Sequence, residues 1–482
     1  MKMRTVAAVA GLIAAGWGAP ISEARADERA SIKEGTRLLR EGDHLADGGE
    51  FTEAVLRYKR AFESLLPGLR GIPFLHEVKR DVTRRQDLKT MLLKELDEDM
   101  TPAEFRANEM AMKAFGLVPR DYRLKEALAQ VYSEEIAAFY DPKTKTMHLI
   151  EEPKKPEPKP KAKPGLLSRL FGQAPAGFEK DENKTVIAHE LTHALADQHY
   201  DLNQLQKAIK HDDDRQSALS ALIEGEATLT MIGASMDDWD GSQTARLPAD
   251  SLDWTFKMMA PFLPFMGGGP SLRKAPPIIA ESMIFPYFKG AVFCARLVND
   301  GGWKAIDGAY RDLPRSTEQI LHPEKFRARP DAPTSIDLVD LKPGDGWKEL
   351  GRNNLGEMQI GVMLRKDGGA SAAAGWDGDR YAVFEGKDDH LGLVWLTTWD
   401  SESDAQEFLD AYIRYQTSRF DNLAKPPRKP GDTLWRNVGD RLFVVQRRGL
   451  DVASVEGFEP EATVRLLEAA FHAKKTTTDA GK

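Results

Sequence analysis

The chain has 482 residues, with 67 Lys+Arg against 75 Asp+Glu, a formal net charge of −8, 41% apolar and 29% charged residues. That length and apolar mass suit roughly two to four packed domains, and the mild acidity argues against a protein that binds nucleic acid through its phosphate backbone. A single cysteine, Cys294, excludes an intrachain disulfide framework and any multi-cysteine metal cluster.

Residues 1–26 read as an export signal. Lys2 and Arg4 form a basic head, Thr5 to Ala15 an apolar run, and Ala24-Arg25-Ala26 an A-x-A cleavage site. The apolar run is shorter than the roughly 20 residues a membrane span needs. A cleavable signal, a periplasmic or secreted product and no transmembrane segment are therefore expected. Residues 27–117 read as an N-terminal helical region. Ala54, Tyr58, Ala61 and Leu65 recur at helical spacing, and Asp47-Gly48-Gly49 marks a turn after a partner helix, giving one tetratricopeptide-like hairpin. Phe139 to Ile150 predicts a β-hairpin whose second strand, Met147 to Ile150, could offer an edge to an extended peptide. A Lys/Pro-rich segment within 153–180 follows, expected to be a flexible, solvated loop. A break near Pro330 to Pro343 sets off a C-terminal α+β domain over 345–475. Its predicted strands are Arg380–Glu385, Leu391–Trp399 and Leu442–Arg448, and its predicted helices Ser403–Tyr415 and Pro460–Lys474.

The sharpest chemical signal is His189-Glu190-Leu191-Thr192-His193. Residues four apart share one face of a helix, so both imidazoles can reach one metal ion. Glu190 then lies beside the water on that metal and would act as general base. With ten histidines, such a pattern should arise by chance only on the order of 0.02 times in this chain, so it weighs heavily. A catalytic site needs a third protein ligand and one open position. His199 is one candidate, although Ala196 stands where a sharp turn would favour glycine. The other lies on a second predicted helix, Asp214 to Ile232. Glu224 and Glu226 are two residues apart there and about 200° around the helix, so only one can face the metal. Glu224 has small neighbours in Ser220, Ala221, Ala227 and Thr228, whereas Glu226 sits among Leu222, Ile223, Leu229 and Thr230. Local burial does not settle the choice, but the need for a third ligand favours Glu224.

The His-Glu-Leu-Thr-His segment with a downstream Glu-Gly-x-Ala resembles the gluzincin clan of zinc metallopeptidases. In that clan the glutamate opening the second motif is the third zinc ligand. The resemblance implies Zn2+ held by His189, His193 and Glu224, Glu190 as catalytic base, and a helix-rich, zincin-like metallopeptidase core over 118–330. Asp197 resembles an aspartate found shortly after the motif in thermolysin-like members. Phe139-Tyr140-Asp141-Pro142, His189–His199, Glu224–Thr228, Ser316–Pro323 and Ala374–Tyr381 together are similar to a group of exported bacterial proteins.

A tetrahedral intermediate calls for an oxyanion donor besides the metal, and His322 is the candidate taken as catalytic, with Tyr287 beside it. Met258 to Gly269 could line or lid a hydrophobic cleft, and Cys294 reads as a small buried apolar residue. The expected whole is an α+β, multidomain, exported zinc metallopeptidase acting on polypeptides. The alternatives are a non-catalytic binding or assembly protein that keeps the site, and a zinc amidase acting on a cell-envelope polymer.

Overall fold

The structure, a computed structural model, describes residues 26–151, 180–259, 269–327, 330–419, 433–438 and 441–477. The expected export signal and the Lys/Pro-rich loop lie outside them, as does most of the segment following Met259.

The fold is α+β. Helices α1 (Ala26–Asp47) and α2 (Phe51–Arg70) form the expected hairpin around Gly48 and Gly49. Ala54, Tyr58, Ala61 and Leu65 are fully buried. The hairpin is no separate layer. Tyr58, Phe62, Leu65, Leu66 and Leu69 share one core with Ile187, Ala188, Leu191 and Ala194 of the metal-motif helix. Strand β1 (Lys79–Arg84) then interrupts the expected run of helix. It carries mostly charged, exposed residues and no apolar alternation, so no local signal marks it as a strand.

Helices α3 (Arg85–Asp99), α4 (Pro102–Phe115) and α5 (Leu124–Glu135) lead to the hairpin strands β2 (Ala138–Asp141) and β3 (Thr146–Glu151). The sheet order is β1-β3-β2, with β1 parallel and β2 antiparallel to β3. β3 is therefore the central strand. The edge expected there is already filled on both sides, which removes Met147–Ile150 as a docking edge.

Two long helices form the centre. In α6 (Lys180–Tyr200) every residue from Val186 to Asp197 is buried. Helix α7 (Asp213–Ser235) carries Glu224 and is also largely buried. After α8 (Ala249–Met259), helix α9 (Pro277–Gly301) crosses α7 at two glycines. A Cβ on Gly225 would stand 2.2 Å from the Gly290 carbonyl carbon, and one on Gly290 would stand 2.1 Å from the Ala221 oxygen. The small residues around Glu224 thus serve the approach of α9. By length and composition α9 could cross a membrane, yet most of it is buried against its neighbours. Cys294 on α9 is buried, with its sulfur 3.6 Å from the Leu222 carbonyl oxygen. Helices α10 (Lys304–Arg311) and α11 (Thr317–Leu321) close this part.

Beyond β4 (Ser335–Asp337), six antiparallel strands form one sheet in the order β5-β6-β7-β10-β9-β8. They are β5 (Lys348–Asn353), β6 (Trp376–Glu385), β7 (Leu391–Trp399), β8 (Thr433–Val438), β9 (Arg441–Arg448) and β10 (Asp451–Phe458). Helices α12 (Gly356–Met363) and α13 (Glu402–Arg419) cover one face. Helix α14 (Pro460–Phe471) covers the other, and β11 (Lys474–Thr476) pairs with β4. Ala111, Ala114 and Phe115 of α4 pack into the first of these cores beside Trp376, Trp395 and Trp399. The α4 helix therefore belongs as much to the C-terminal domain as to the N-terminal region.

Candidate metal centre

His189 and His193 project from the same face of α6, with ring centroids 4.6 Å apart and ring planes at 88°. Helix α7 brings Glu224 to both. Its Oε2 lies 3.0 Å from His189 Nε2 and 3.3 Å from His193 Nε2. A metal with bonds of roughly 2.0–2.1 Å and tetrahedral angles holds neighbouring donors about 3.3 Å apart. Among the described residues, His189, His193 and Glu224 form a group that could hold a metal ion, with donor atoms all within 4.8 Å of one another.

The electrostatics suit the same use. Burial pushes the His189 imidazole towards its neutral form. Burial also opposes the Glu224 charge, yet His193 and His189 beside it hold the carboxyl well below the usual carboxylate range. Neutral imidazole and ionised carboxylate are the forms that ligate metals.

Glu190 is fully buried. The backbone N–H of Tyr140 donates to its Oε2 at 2.7 Å, while its Oε1 has no hydrogen-bond partner among the described residues. One oxygen is thus anchored by strand β2 and the other remains for a water. Tyr140 is anchored in turn, because its hydroxyl donates to Asp197 Oδ2 at 2.7 Å. Asp197 also accepts from Lys145 Nζ and from the Leu202 N–H, so it ties the hairpin to the end of α6.

Tyr287 comes to the site from α9. Its ring stacks on His189 at 5.9 Å and 20°. Burial, then the Glu224 and Glu190 carboxylates, push its hydroxyl well above the ordinary tyrosine range. Gly290 lies one helical turn beyond Tyr287, so the close α7–α9 crossing is what brings this ring within reach.

The structure does not bring His322 to this group. Its Nε2 lies 2.9 Å from Glu357 Oε1 on α12, so the side chain fastens the Ser316–Pro323 segment to the C-terminal domain. His199 is not a ligand either, as its Nε2 is 2.8 Å from the Pro73 carbonyl oxygen. Glu226 faces away, where it pairs with Arg70 and accepts the Tyr310 hydroxyl at 2.6 Å. This resolves the choice between the two glutamates: the helical phase turns Glu224 to the imidazoles and Glu226 to α2.

The Ser316–Pro323 segment works as a clasp. The Thr317 hydroxyl donates to Asp214 at the start of α7, and the Met358 N–H donates to the Thr317 oxygen at 3.2 Å. A second acidic group, Glu318, Asp331 and Asp400, surrounds the Lys325 ammonium at 2.7, 3.0 and 2.6 Å. That ammonium already serves as its cation.

Residue reasoning missed the anchoring of Glu190 by Tyr140 and the pairing of Arg70 with Glu226. The first is a backbone contact across 50 residues and the second a side-chain contact across 156, and neither leaves a local pattern. Residues 345–467, the C-terminal sheet domain, are similar to a family described as a domain of unknown function (DUF8575). No curated protein and no solved structure matches the chain.

Proposed function

We propose that this protein is an exported zinc-dependent metallopeptidase that hydrolyses peptide bonds. What carries the reading is the approach of Glu224 Oε2 to both imidazole nitrogens, at 3.0 and 3.3 Å, beside a buried carboxylate with one uncommitted oxygen. His189, His193 and Glu224 would hold the ion. When bound, zinc supplies Lewis acidity and makes a water in the site a better nucleophile.

The chain's own residues supply the rest. Glu190, anchored through Oε2 by Tyr140, takes the proton of the attacking water on Oε1 and delivers it to the leaving amine. Tyr287, kept protonated by burial and stacked on His189, is the hydroxyl donor the site offers to developing negative charge, the role first expected of His322. His322 acts at the domain seam instead.

The test is metal analysis of the purified protein coupled to a cleavage assay on an unfolded polypeptide, with and without a chelator. Stoichiometric zinc with chelator-sensitive cleavage, abolished in Glu190→Gln, is the expected result. Stoichiometric zinc without hydrolysis of polypeptides or cell-wall fragments favours a binding protein instead. Cleavage of wall fragments alone favours the amidase reading. Absence of bound metal overturns all of these enzyme readings.

A further inference from the structure

Helix α7 presents two carboxylates on nearly opposite sides. Glu224 faces the imidazoles, and Glu226, 1% exposed, meets Arg70 at the end of α2. The Arg70 fork spans two acids, Glu226 on α7 and Asp307 on α10, the second at 2.7 Å. Tyr200 donates to the same Asp307 at 2.8 Å, Tyr310 donates to Glu226, and the guanidinium lies 5.5 Å from the Trp303 ring centre. Arg70 is itself 1% exposed, and its Nη1 has no hydrogen-bond partner among the described residues. Such a pair is a poor device for stability alone, because desolvating two charges costs several kcal/mol and apolar replacements of similar volume are often no less stable.

Its geometry serves another purpose. On the α9 side, α7 is held by the Gly225–Gly290 contact. That contact fixes how closely the two helices approach and does not by itself set the rotation about the α7 axis, whereas Glu226, two residues from Glu224, is held by an ion pair to Arg70. A carboxylate about 6 Å from a helix axis moves about 1 Å for each 10° of rotation, whereas metal–donor distances tolerate only about 0.2 Å. We infer that Arg70 is a positioning residue for the metal centre: by gripping Glu226 and Asp307 it sets the rotation of α7 and so delivers Glu224 to His189 and His193. The α1–α2 hairpin is then a working part of the site, and its removal would disable the centre instead of releasing it. The inference rests on the metal reading proposed above.

The test compares wild type, Arg70→Met/Glu226→Gln and Tyr310→Phe in the full chain. Zinc affinity is measured by competition with a chromophoric chelator, the visible spectrum after Co2+ substitution reports donor geometry, and the melting temperature is taken without metal. The double variant should bind zinc about 10-fold or more weakly, the effect expected when support for a metal ligand is lost. It should also change the cobalt spectrum, with a metal-free melting temperature within a few degrees of wild type. Tyr310→Phe, which removes only one contact to Glu226, should shift affinity the same way by less, and it carries the test if the double variant does not fold. Unchanged affinity and spectrum in the folded variants overturn the inference while leaving the metal reading intact. An affinity loss matched by an equal loss of metal-free stability overturns it too, in favour of a merely structural role. A wild type that binds no zinc is the separate result that removes the metal reading and this inference with it.

Discussion

The backbone N–H of Tyr140 reaches across from strand β2 to donate to Glu190 at 2.7 Å. A main-chain donor cannot swing away as a side chain can, so the carboxylate is held in one orientation before any substrate arrives. Glu190→Gln preserves the shape and exchanges the free oxygen's basicity for an amide. Cleavage of an unfolded polypeptide should fall about 10²–10⁴-fold, the usual contribution of a positioned general base. Zinc content by elemental analysis should stay stoichiometric. Retained activity would remove Glu190 from the chemistry.

Glu224 is the only one of the three donors contributed by α7. Binding an ion there should therefore tie α7 to α6 and stabilise the folded chain by mass action. At a thousandfold excess of metal over its dissociation constant the gain is about 4 kcal/mol. Zinc added to chelator-treated wild type should raise the melting temperature by several degrees. Glu224→Ala should shrink that rise sharply, since removal of one of three donors weakens binding to the folded chain. An equal rise in both proteins would place the binding elsewhere.

How much of this could be read in the residues follows from the range of each contact. His189 and His193 are legible because one helical turn places them together whatever the rest of the chain does. Glu224 needs the added chemical demand for a third ligand, since the periodicity around it is apolar on both sides. Strand Leu391–Trp399 and residues 380–385 of β6 announce themselves through large apolar residues, whereas the start of β6, residues 376–379, carries Asp377, Gly378 and Asp379 and does not. The β10 strand does not, because Ser454 and Glu456 interrupt its pattern although both are buried. His322 misleads for a similar reason: Leu-His-Pro has the chemistry of a site, but its partner Glu357 lies on another domain and leaves no mark near it.

The α7–α9 crossing offers a test of packing at the centre. A methyl group on Gly225 would fall 2.2 Å from backbone carbon of Gly290, and no side-chain rotation relieves a clash with main chain. Gly225→Ala must push α9 outward, carrying Tyr287 away from Glu224 and His189. Overpacking of this kind costs about 1–3 kcal/mol, which for a domain of this size lowers the melting temperature by roughly 2–4 °C per kcal/mol. Calorimetry should show that loss, and zinc affinity should fall with it.

The domain seam carries a pH dependence of definite sign. The Glu357 carboxylate raises the affinity of His322 for its proton, and burial raises the affinity of Glu357 for one. The pair therefore retains a proton in the folded chain at a pH where the unfolded chain, with both groups near their ordinary values, has released it. Both folded values are raised, so the stabilisation is complete in mild acid and fades as pH climbs through the raised values. Thr317 and Met358 lie on the elements this pair joins, so the seam should loosen in the same window. Denaturant unfolding from pH 5.5 to 8.5 should show stability falling with pH in wild type, with a shallower slope in His322→Ala. Amide exchange at Leu355, Gly356 and Met358 should quicken over that range in wild type and already be fast in the variant at pH 6. A slope that is identical in the two proteins would assign the titration to another group.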